Sequence, residues 1–363
     1  MSLSLTLVLL VCSDVGLSAG ALALDPQVAL WLELDDNAPR VPDEIFGEDE
    51  RLVPPRAGEQ PHRIADGLVR GEVLLGASFS RPGLLLRSDS ALGLKLFFTQ
   101  RSERMLVLQT RASLSARMAN GGVLTLAAFG KGRGQLSGAR TYGLLRSDAL
   151  IDRELIDELV LRVGASGQAL LALDGERSSF LAAGAGAIVG ARLALADAES
   201  LELLIDAGGR GFPLSPKDAD QRADDVKRRA DGVISGTLQM TSAGRLYLSG
   251  GYLVTRNASN ARGESFTRHR LFSSIGFRLP AEVTCAAQGA VQLTSYDDGV
   301  SVGRVYFLED DEESQNVLEV MLSRPLFGGL FLEARVSFFG NELAVEGARF
   351  SRQTAAVGVR AVL

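Results

Sequence analysis

The fold is decided by stretches such as VTCAAQGAVQLTSY, which occupies residues 283–296. Its side chains alternate, because Val291 and Leu293 fall on one face while Gln288 and Gln292 fall on the other. Successive side chains of a β-strand point to opposite faces of the sheet, so this period of two predicts a strand with one apolar and one polar face. The stretch exceeds the ~5–6 residues of a typical soluble strand and suits a membrane-crossing strand of ~9–11 residues.

The same alternation recurs from about Leu68 to the end of the chain. Further clear examples lie at residues 106–115, 233–241, 245–256, 271–279 and 329–339. Turns rich in Gly, Asn, Asp and Ser separate these segments, as expected for consecutive antiparallel strands. Further candidate strands, several of them short, lie at residues 27–34, 68–80, 91–99, 123–130, 158–164, 169–173, 192–196 and 201–206. We predict an all-β chain that forms an antiparallel transmembrane β-barrel of about 16 strands, within a range of roughly 14–18.

Periodicity alone leaves a second architecture open. In a soluble β-sandwich the same alternation places the aliphatic face in the core and the polar face in water. The alternative is therefore a β-sandwich over residues 68–207, followed by a small barrel over residues 233–363. Such a chain would be a non-enzymatic structural or surface-binding protein.

Connection lengths favour the transmembrane barrel, in which one end carries short turns and the other carries longer loops. Short connections are predicted at 339–342, 280–282 and 242–244, and these alternate with longer, charged connections at 257–265 and 208–232. The predicted turns at 297–299 and 324–328 are short for the loop end, and the acidic turn at 310–313 falls at the wrong end. The alternation is present but imperfect.

The first 67 residues divide into two predicted segments. Residues 1–23 predict a signal peptide, because an apolar run from Leu3 to Val11 precedes the small residues Ala21 and Ala23 at a cleavage site. A buried N-terminal strand or helix of a cytosolic protein remains the alternative. Residues 24–67 predict an N-terminal strand and an acidic, proline-containing segment that forms a loop, a periplasmic extension or a plug, and the barrel would occupy residues 68–363.

Composition argues against several classes of function. The 363 residues are 46% hydrophobic and carry a net charge of −6, so no basic excess supports a nucleic-acid partner. Two cysteines and two histidines leave little for a disulfide framework, a zinc site or a catalytic triad. The glycine run at 184–190 lacks the spacing and context of a dinucleotide loop, and small residues in a barrel strand explain it better. We predict no enzyme, no catalytic or metal-binding residues and no cofactor.

The C-terminal stretch RFSRQTAAVGVRAVL, residues 349–363, resembles the last hairpin of the bacterial outer-membrane β-barrel (porin-like) family. In that family a terminal strand of alternating apolar residues runs to the last residue, where the assembly machinery recognises it. Val357, Val359, Ala361 and Leu363 match its lipid-facing positions, although the family usually ends in Phe or Trp. The resemblance implies a location in the Gram-negative cell outer membrane, with membrane lipid and the outer-membrane assembly machinery as partners.

A barrel of this size predicts a pore. About eight strands enclose only side chains, whereas 16–18 leave an aqueous channel. We therefore expect a passive pore or an export channel, for small solutes or for a polymer. Its candidate lumen-lining residues are Arg245, Arg270, Arg278, Gln288, Gln292, Glu319, Glu333, Arg335, Arg349 and Arg360. These residues mix positive and negative charge, so they do not predict strong ion selectivity.

Overall fold

The computed structural model describes eleven segments of the chain. They are residues 21–36, 65–119, 121–136, 140–174, 178–196, 198–214, 229–243, 246–260, 265–297, 316–340 and 351–363. The predicted signal peptide therefore lies outside the described residues, except that Ala21, Leu22 and Ala23 are the first residues of a strand. Most of the acidic segment 34–67 also lies outside them.

The described residues form sixteen β-strands joined in chain order. They are β1 Ala21–Asp35, β2 Asp66–Arg81, β3 Leu84–Phe97, β4 Met105–Arg117, β5 Val123–Gln135, β6 Arg140–Ile156, β7 Leu159–Asp174, β8 Ser178–Ala196, β9 Glu199–Leu214, β10 Ala230–Ala243, β11 Leu246–Ser259, β12 Phe266–Arg278, β13 Thr284–Tyr296, β14 Asn316–Pro325, β15 Leu330–Gly340 and β16 Ser351–Val362. Two single-turn 3₁₀ helices lie at Arg101–Glu103 and Pro280–Glu282. No helix among the described residues is long and apolar enough to cross a membrane.

The sheet closes on itself. Each strand pairs antiparallel with its neighbours in the chain, and β1 pairs antiparallel with β16 in a register that runs from Gln27 opposite Val362 to Asp35 opposite Thr354. Closure leaves no strand at a free edge of the sheet, so each described strand has a paired neighbour on both sides. The predicted fold class, an antiparallel barrel of 16 strands, is confirmed.

The two-domain alternative is wrong. Strands β2–β9 cover the proposed sandwich, yet β9 pairs with β10 from Glu199 opposite Ser242 to Gly211 opposite Ala230, so one sheet continues around the barrel. The predicted strands at 158–164 and 169–173 are both parts of β7. Small residues at 165–167 have the composition of a turn, but in this barrel they continue the strand.

The connections fall into two groups at opposite ends of the barrel. The turn end holds the start of β1, the end of β16 and short connections at 82–83, 118–122, 244–245, 279–283 and 326–329. At the opposite end, the loop end, the strand ends are separated by longer stretches of sequence at 36–65, 215–229, 260–265, 297–315 and 341–350 and by shorter ones at 98–104, 136–139 and 175–177. The predicted short connections 280–282 and 242–244 fall at the turn end. The predicted longer ones fall at the loop end, but residues 208–214, 230–232 and 257–259 of them belong to strands β9, β10 and β11.

The prediction of a short turn at 339–342 is wrong. Because β16 must run toward the turn end, the connection before it belongs to the loop end, and it spans the residues between Gly340 and Ser351. The predicted turn at 324–328 lies at the turn end, where a short connection belongs. After β13 the next described strand begins only at Asn316, and residues 298–315, including the acidic turn 310–313, lie outside the described residues.

The two faces of the sheet differ sharply in composition. One face presents exposed aliphatic side chains around the barrel, among them Leu30, Leu203, Val291 and Leu332. In water such a surface would be a severe aggregation liability, whereas a hydrocarbon environment matches it. The opposite face carries most of the charged side chains of the strands, and small apolar clusters such as Leu68, Phe97 and Met105 interrupt it.

Candidate functional site

The charged face lines the interior of the barrel. Arg146 on β6 reaches Asp206 on β9 with an N–O distance of 3.3 Å, and Arg162 on β7 reaches Glu202 on β9 at 2.5 Å. Side chains that skip one or two strands can meet only on the concave side of a closed sheet. Because directly opposite residues of paired strands share a face, the register carries this assignment around the whole barrel.

Eight of the ten predicted lining residues lie on this inner face. They are Arg270, Arg278, Gln288, Gln292, Glu319, Glu333, Arg335 and Arg360, as the pairing of β12 to β16 places them. Arg245 and Arg349 lie outside the described residues. The terminal-strand residues Val357, Val359 and Ala361 have the opposite parity, on the outer face with the exposed leucines.

Three of these residues form a group on neighbouring strands. The Gln288 side chain donates a hydrogen bond to one Glu319 carboxylate oxygen at 3.0 Å, and the Ser337 hydroxyl donates to the other at 3.0 Å. Arg335 lies 4.0 Å from the same carboxylate. Gln292 is 1% exposed, whereas Arg278 lies at the turn end opposite Thr284. The predicted residues therefore occupy different depths of the lumen.

A second group of side-chain hydrogen bonds lies at the seam, where β1 and β16 close the barrel. The Arg360 side chain on β16 donates to Glu333 on β15 at 2.7 Å and to the Gln27 side chain on β1 at 2.9 Å. One guanidinium thus connects the first strand with the last two. Charge-assisted hydrogen bonds of this kind are stronger than neutral ones and fix the orientation of both partners.

A cluster around Trp31 was missed by the sequence analysis. The guanidinium carbons of Arg70 and Arg335 lie 5.4 Å and 5.5 Å from the Trp31 ring centroid, and both guanidinium groups approach the buried Glu33 carboxylate, at 4.0 Å and 3.4 Å. Contact with a ring face stabilises a cation, and a shared carboxylate offsets their mutual repulsion. The alternation at 27–34 predicted a strand around Trp31. It could not show which distant strands would bring Arg70 and Arg335 beside that ring.

Glycines interrupt the charged inner face where β7, β8 and β9 lie side by side. A Cβ atom at Gly164 or Gly208 would collide with the backbone carbonyl oxygen of Ala149 or Ala185 on the neighbouring strand. Such close approach of backbones is a role that only glycine can fill. The glycines of 184–190 belong to this region, within β8, in line with the small-residue explanation of that run.

A cavity of about 320 Å³ lies within the lumen, beside the Trp31 cluster. Strands β1 to β5 and β14 to β16 contribute its lining, which includes the cations Arg70, Lys95, Lys131, Arg133 and Arg335 and the carboxylates Glu33, Glu72 and Glu319. Apolar side chains from Met105, Val107 and Phe339 complete it. Among the described residues no group of three His, Cys, Asp or Glu side chains could hold a metal ion.

One ion pair lies at the loop end on the outer face. The Arg256 guanidinium donates to both carboxylate oxygens of Asp297, at 2.7 Å and 2.5 Å. These hydrogen bonds hold the pKa of Asp297 below its ordinary value, so the carboxylate stays ionised at neutral pH. A charged pair on the outer face is expected close to water, so this pair lies beyond the band of exposed aliphatic side chains.

Comparison with known proteins finds likeness in architecture alone. No family model matches the sequence, and no curated protein matches it. Among solved structures, OmpF of Salmonella typhi in complex with daunomycin is 11% identical, with 95% of this chain and 98% of that chain covered and a TM-score of 0.47. A variant of the TodX monoaromatic hydrocarbon channel is 10% identical, with 95% and 90% covered and a TM-score of 0.42. A FadL homologue of Pseudomonas aeruginosa is 10% identical, with 93% and 90% covered and a TM-score of 0.38.

Proposed function

We propose that this protein is an outer-membrane channel through which small polar solutes pass passively. The observation that carries the proposal is the division of the closed sheet into an aliphatic outer face and a charged inner face. Charged groups inside a barrel need either water or partners, because burying an unpaired charge is very costly. A barrel of 16 strands has room for both ion pairs and water.

We propose that the channel is lined by the eight candidate residues on the inner face, together with Arg245 and Arg349, which lie outside the described residues. The lining described above places carboxylates and guanidinium groups at several depths, so a solute would meet both signs of charge on its way. Such a lining favours polar solutes over apolar ones. An apolar solute would displace water from the charged side chains without replacing the hydrogen bonds of that water. We propose no catalytic residue, metal or cofactor.

Single-channel conductance of the purified protein in a planar lipid bilayer tests the proposal. We expect discrete current steps, together with swelling of liposomes that contain the protein when a small sugar is offered outside. Blockade by polyethylene glycols of graded size would measure the narrowest part and decide whether a polymer could pass. Protein that is folded by heat-modifiable gel mobility and yet carries no current and admits no sugar would contradict a channel.

The proposed location is tested separately. We expect the protein to fractionate with the outer membrane of the bacterium that makes it, and to require the assembly machinery that the terminal strand implies. Recovery of folded protein from the soluble periplasmic fraction would contradict this location.

A further inference from the structure

We propose that arginines on the inner face of β3 and β4 make the channel conduct anions in preference to cations. The inference deepens the proposed channel function and rests on it. Its starting point is a group of three guanidinium side chains near the turn end, those of Arg87, Arg111 and Arg117. None of the three was among the lining residues predicted from the sequence.

The strand register places these arginines together on the wall of the lumen. Arg87 on β3 lies opposite Ser113 on β4, and Ser113 is two residues beyond Arg111. Residues opposite each other in paired strands share a face, and so do residues two apart in one strand. Gln109, two residues before Arg111, lines the cavity within the lumen, so this parity of β4 faces inward. Arg117 has the same parity, at the turn-end limit of the strand.

The charges of this wall are accessible and are not balanced by carboxylates of the wall itself. All three arginine side chains are exposed, so water and small ions in the lumen can reach them. No ion pair of the described residues includes any of the three, and Arg111 contacts the Phe129 ring at 5.4 Å from its centroid. Asp89, opposite Arg111, is the one carboxylate on the inner face of these two strands. The wall is therefore positive, although the whole chain is acidic.

Other guanidinium groups in the same half of the lumen have carboxylate partners. Arg162 donates to both oxygens of Asp152, at 2.7 Å and 2.8 Å, and Arg360 donates to Glu333 at 2.7 Å. The field of a paired charge is largely cancelled at a distance by that of its partner. We therefore expect the β3–β4 wall to contribute more to the potential in the lumen than these ion-paired arginines. A narrow passage with low-dielectric walls strengthens such a potential and raises the local concentration of the counter-ion.

The ion preference can be measured as the reversal potential of the purified protein in a planar bilayer under a potassium chloride gradient. We expect a reversal potential on the chloride side of zero. Arg87→Gln and Arg111→Gln should each lower the chloride-to-potassium permeability ratio about two- to fourfold, as expected for a unit charge some 10 Å away in water. Asp89→Asn should raise the ratio. Arg81→Gln is the matched control, because Arg81 lies at the same end of the barrel but shares the outer face with Leu75.

Thiol labelling measures the local potential without any current. In a background where Cys285 is replaced by Ala, Ser113→Cys places a thiol beside Arg87. Ser274→Cys is its match on the inner face of β12, also four residues before the end of its strand and eight strands away around the barrel. The ratio of the labelling rates of an anionic sulfonate reagent and a cationic ammonium reagent should be about fivefold higher at 113 than at 274. Arg87→Gln should remove most of this difference.

The outcomes distinguish failure of the ion preference from failure of the channel. A conducting protein without a preference for chloride, or one in which Arg81→Gln lowers the permeability ratio as much as Arg87→Gln, would overturn the inference and leave the channel function intact. Equal labelling ratios at 113 and 274 would show that the arginine charges do not act on solutes in the lumen. Protein that carries no current would refute the channel function and the ion preference with it, even if labelling finds a positive wall.

Discussion

Gly358 on β16 lies opposite Trp31 at the seam where the barrel closes. A Cβ atom there would collide with the Trp31 ring and with the Leu30 carbonyl oxygen. We therefore expect Gly358→Ala to destabilise the barrel by about 1–3 kcal/mol, the usual cost of forcing extra atoms into a packed site. The loss should appear as a lower melting temperature and a smaller heat-modifiable fraction.

Gly71→Ala is the matched control for this change, because nothing lies within 4 Å of the added Cβ. Trp31 is the one tryptophan of the chain, so its fluorescence reports directly on the seam. Unchanged fluorescence, yield and melting temperature in Gly358→Ala would show that the ring can move aside without cost.

Glu33 is the residue that balances the Trp31 cluster. It is 2% exposed and lies between the guanidinium groups of Arg70 and Arg335. We expect Glu33→Gln to lower the free energy of unfolding by roughly 1–3 kcal/mol, because two cations lose a shared buried partner. Glu72→Gln, at a more exposed carboxylate 3.7 Å from Arg70, should have a smaller effect. Equal chemical-denaturation midpoints for the two variants would contradict a special role for Glu33.

At the scale of the strand, the facing of β13 can be tested directly. Val291 is 58% exposed on the outer face, and Gln288 lies on the inner face with its side chain bonded to Glu319. We expect Val291→Arg to cost about 2–4 kcal/mol and to impair assembly, since it places a charge in hydrocarbon, whereas Gln288→Arg should be mild.

Thiol labelling distinguishes this facing from a simple loss of packing. In a background where the native Cys285 is replaced by Ala, Gln288→Cys should react with a water-soluble thiol reagent from the lumen. Detergent should shield Val291→Cys and Leu293→Cys on the outer face. Gln292 is too buried to serve as a second inner position. Equal reactivity at 288, 291 and 293 would contradict the barrel facing.

Some strands were predicted accurately from the sequence, and others only in part. The faces of β13, β15 and β16 were predicted correctly, because each carries aliphatic side chains on one parity and polar ones on the other. Strands β7 and β8 were predicted only in fragments, because small residues on both faces of 164–169 and 183–187 resemble turns by composition. Glycine there allows close approach of the neighbouring backbones, which is a tertiary requirement without a local sequence signal.

Sequence alternation assigns single side chains to one face of a strand, but it does not show which of them come together. Alternation places Arg335 on the polar face of its strand, and the structure brings it near Glu319 on β14, a strand that was not among those predicted. The partnership of Arg335 with Glu33 joins residues 302 positions apart in the chain. It exists only because β1 pairs with β16, and that closure depends on the whole sheet rather than on any segment of sequence.

At the scale of the molecule, closure between β1 and β16 is the interaction on which the architecture depends. The last five residues, 359–363, carry the partners of the β1 stretch 27–30 and of the first residues of β15. The Leu363 backbone N–H also donates to the Pro26 carbonyl oxygen at 3.0 Å. Inside a bilayer no water is available to satisfy the groups that a gap would expose, so an unclosed barrel is strongly disfavoured.

We therefore expect deletion of residues 359–363 to leave the protein unassembled, whereas Leu363→Phe should be tolerated or should improve assembly by restoring the aromatic end typical of the resembled family. Arg360→Gln is the control, because it removes only the side-chain tie to Glu333 and Gln27 and keeps the backbone pairing. Membrane yield and heat-modifiable mobility of the three variants should be compared with those of the parent chain. If the tie and the pairing contribute separately, Arg360→Gln should assemble with reduced stability and the deletion should not assemble at all. A truncated chain that is folded, soluble and abundant would show that water can satisfy the freed strand edges, and the proposed membrane location would then be wrong.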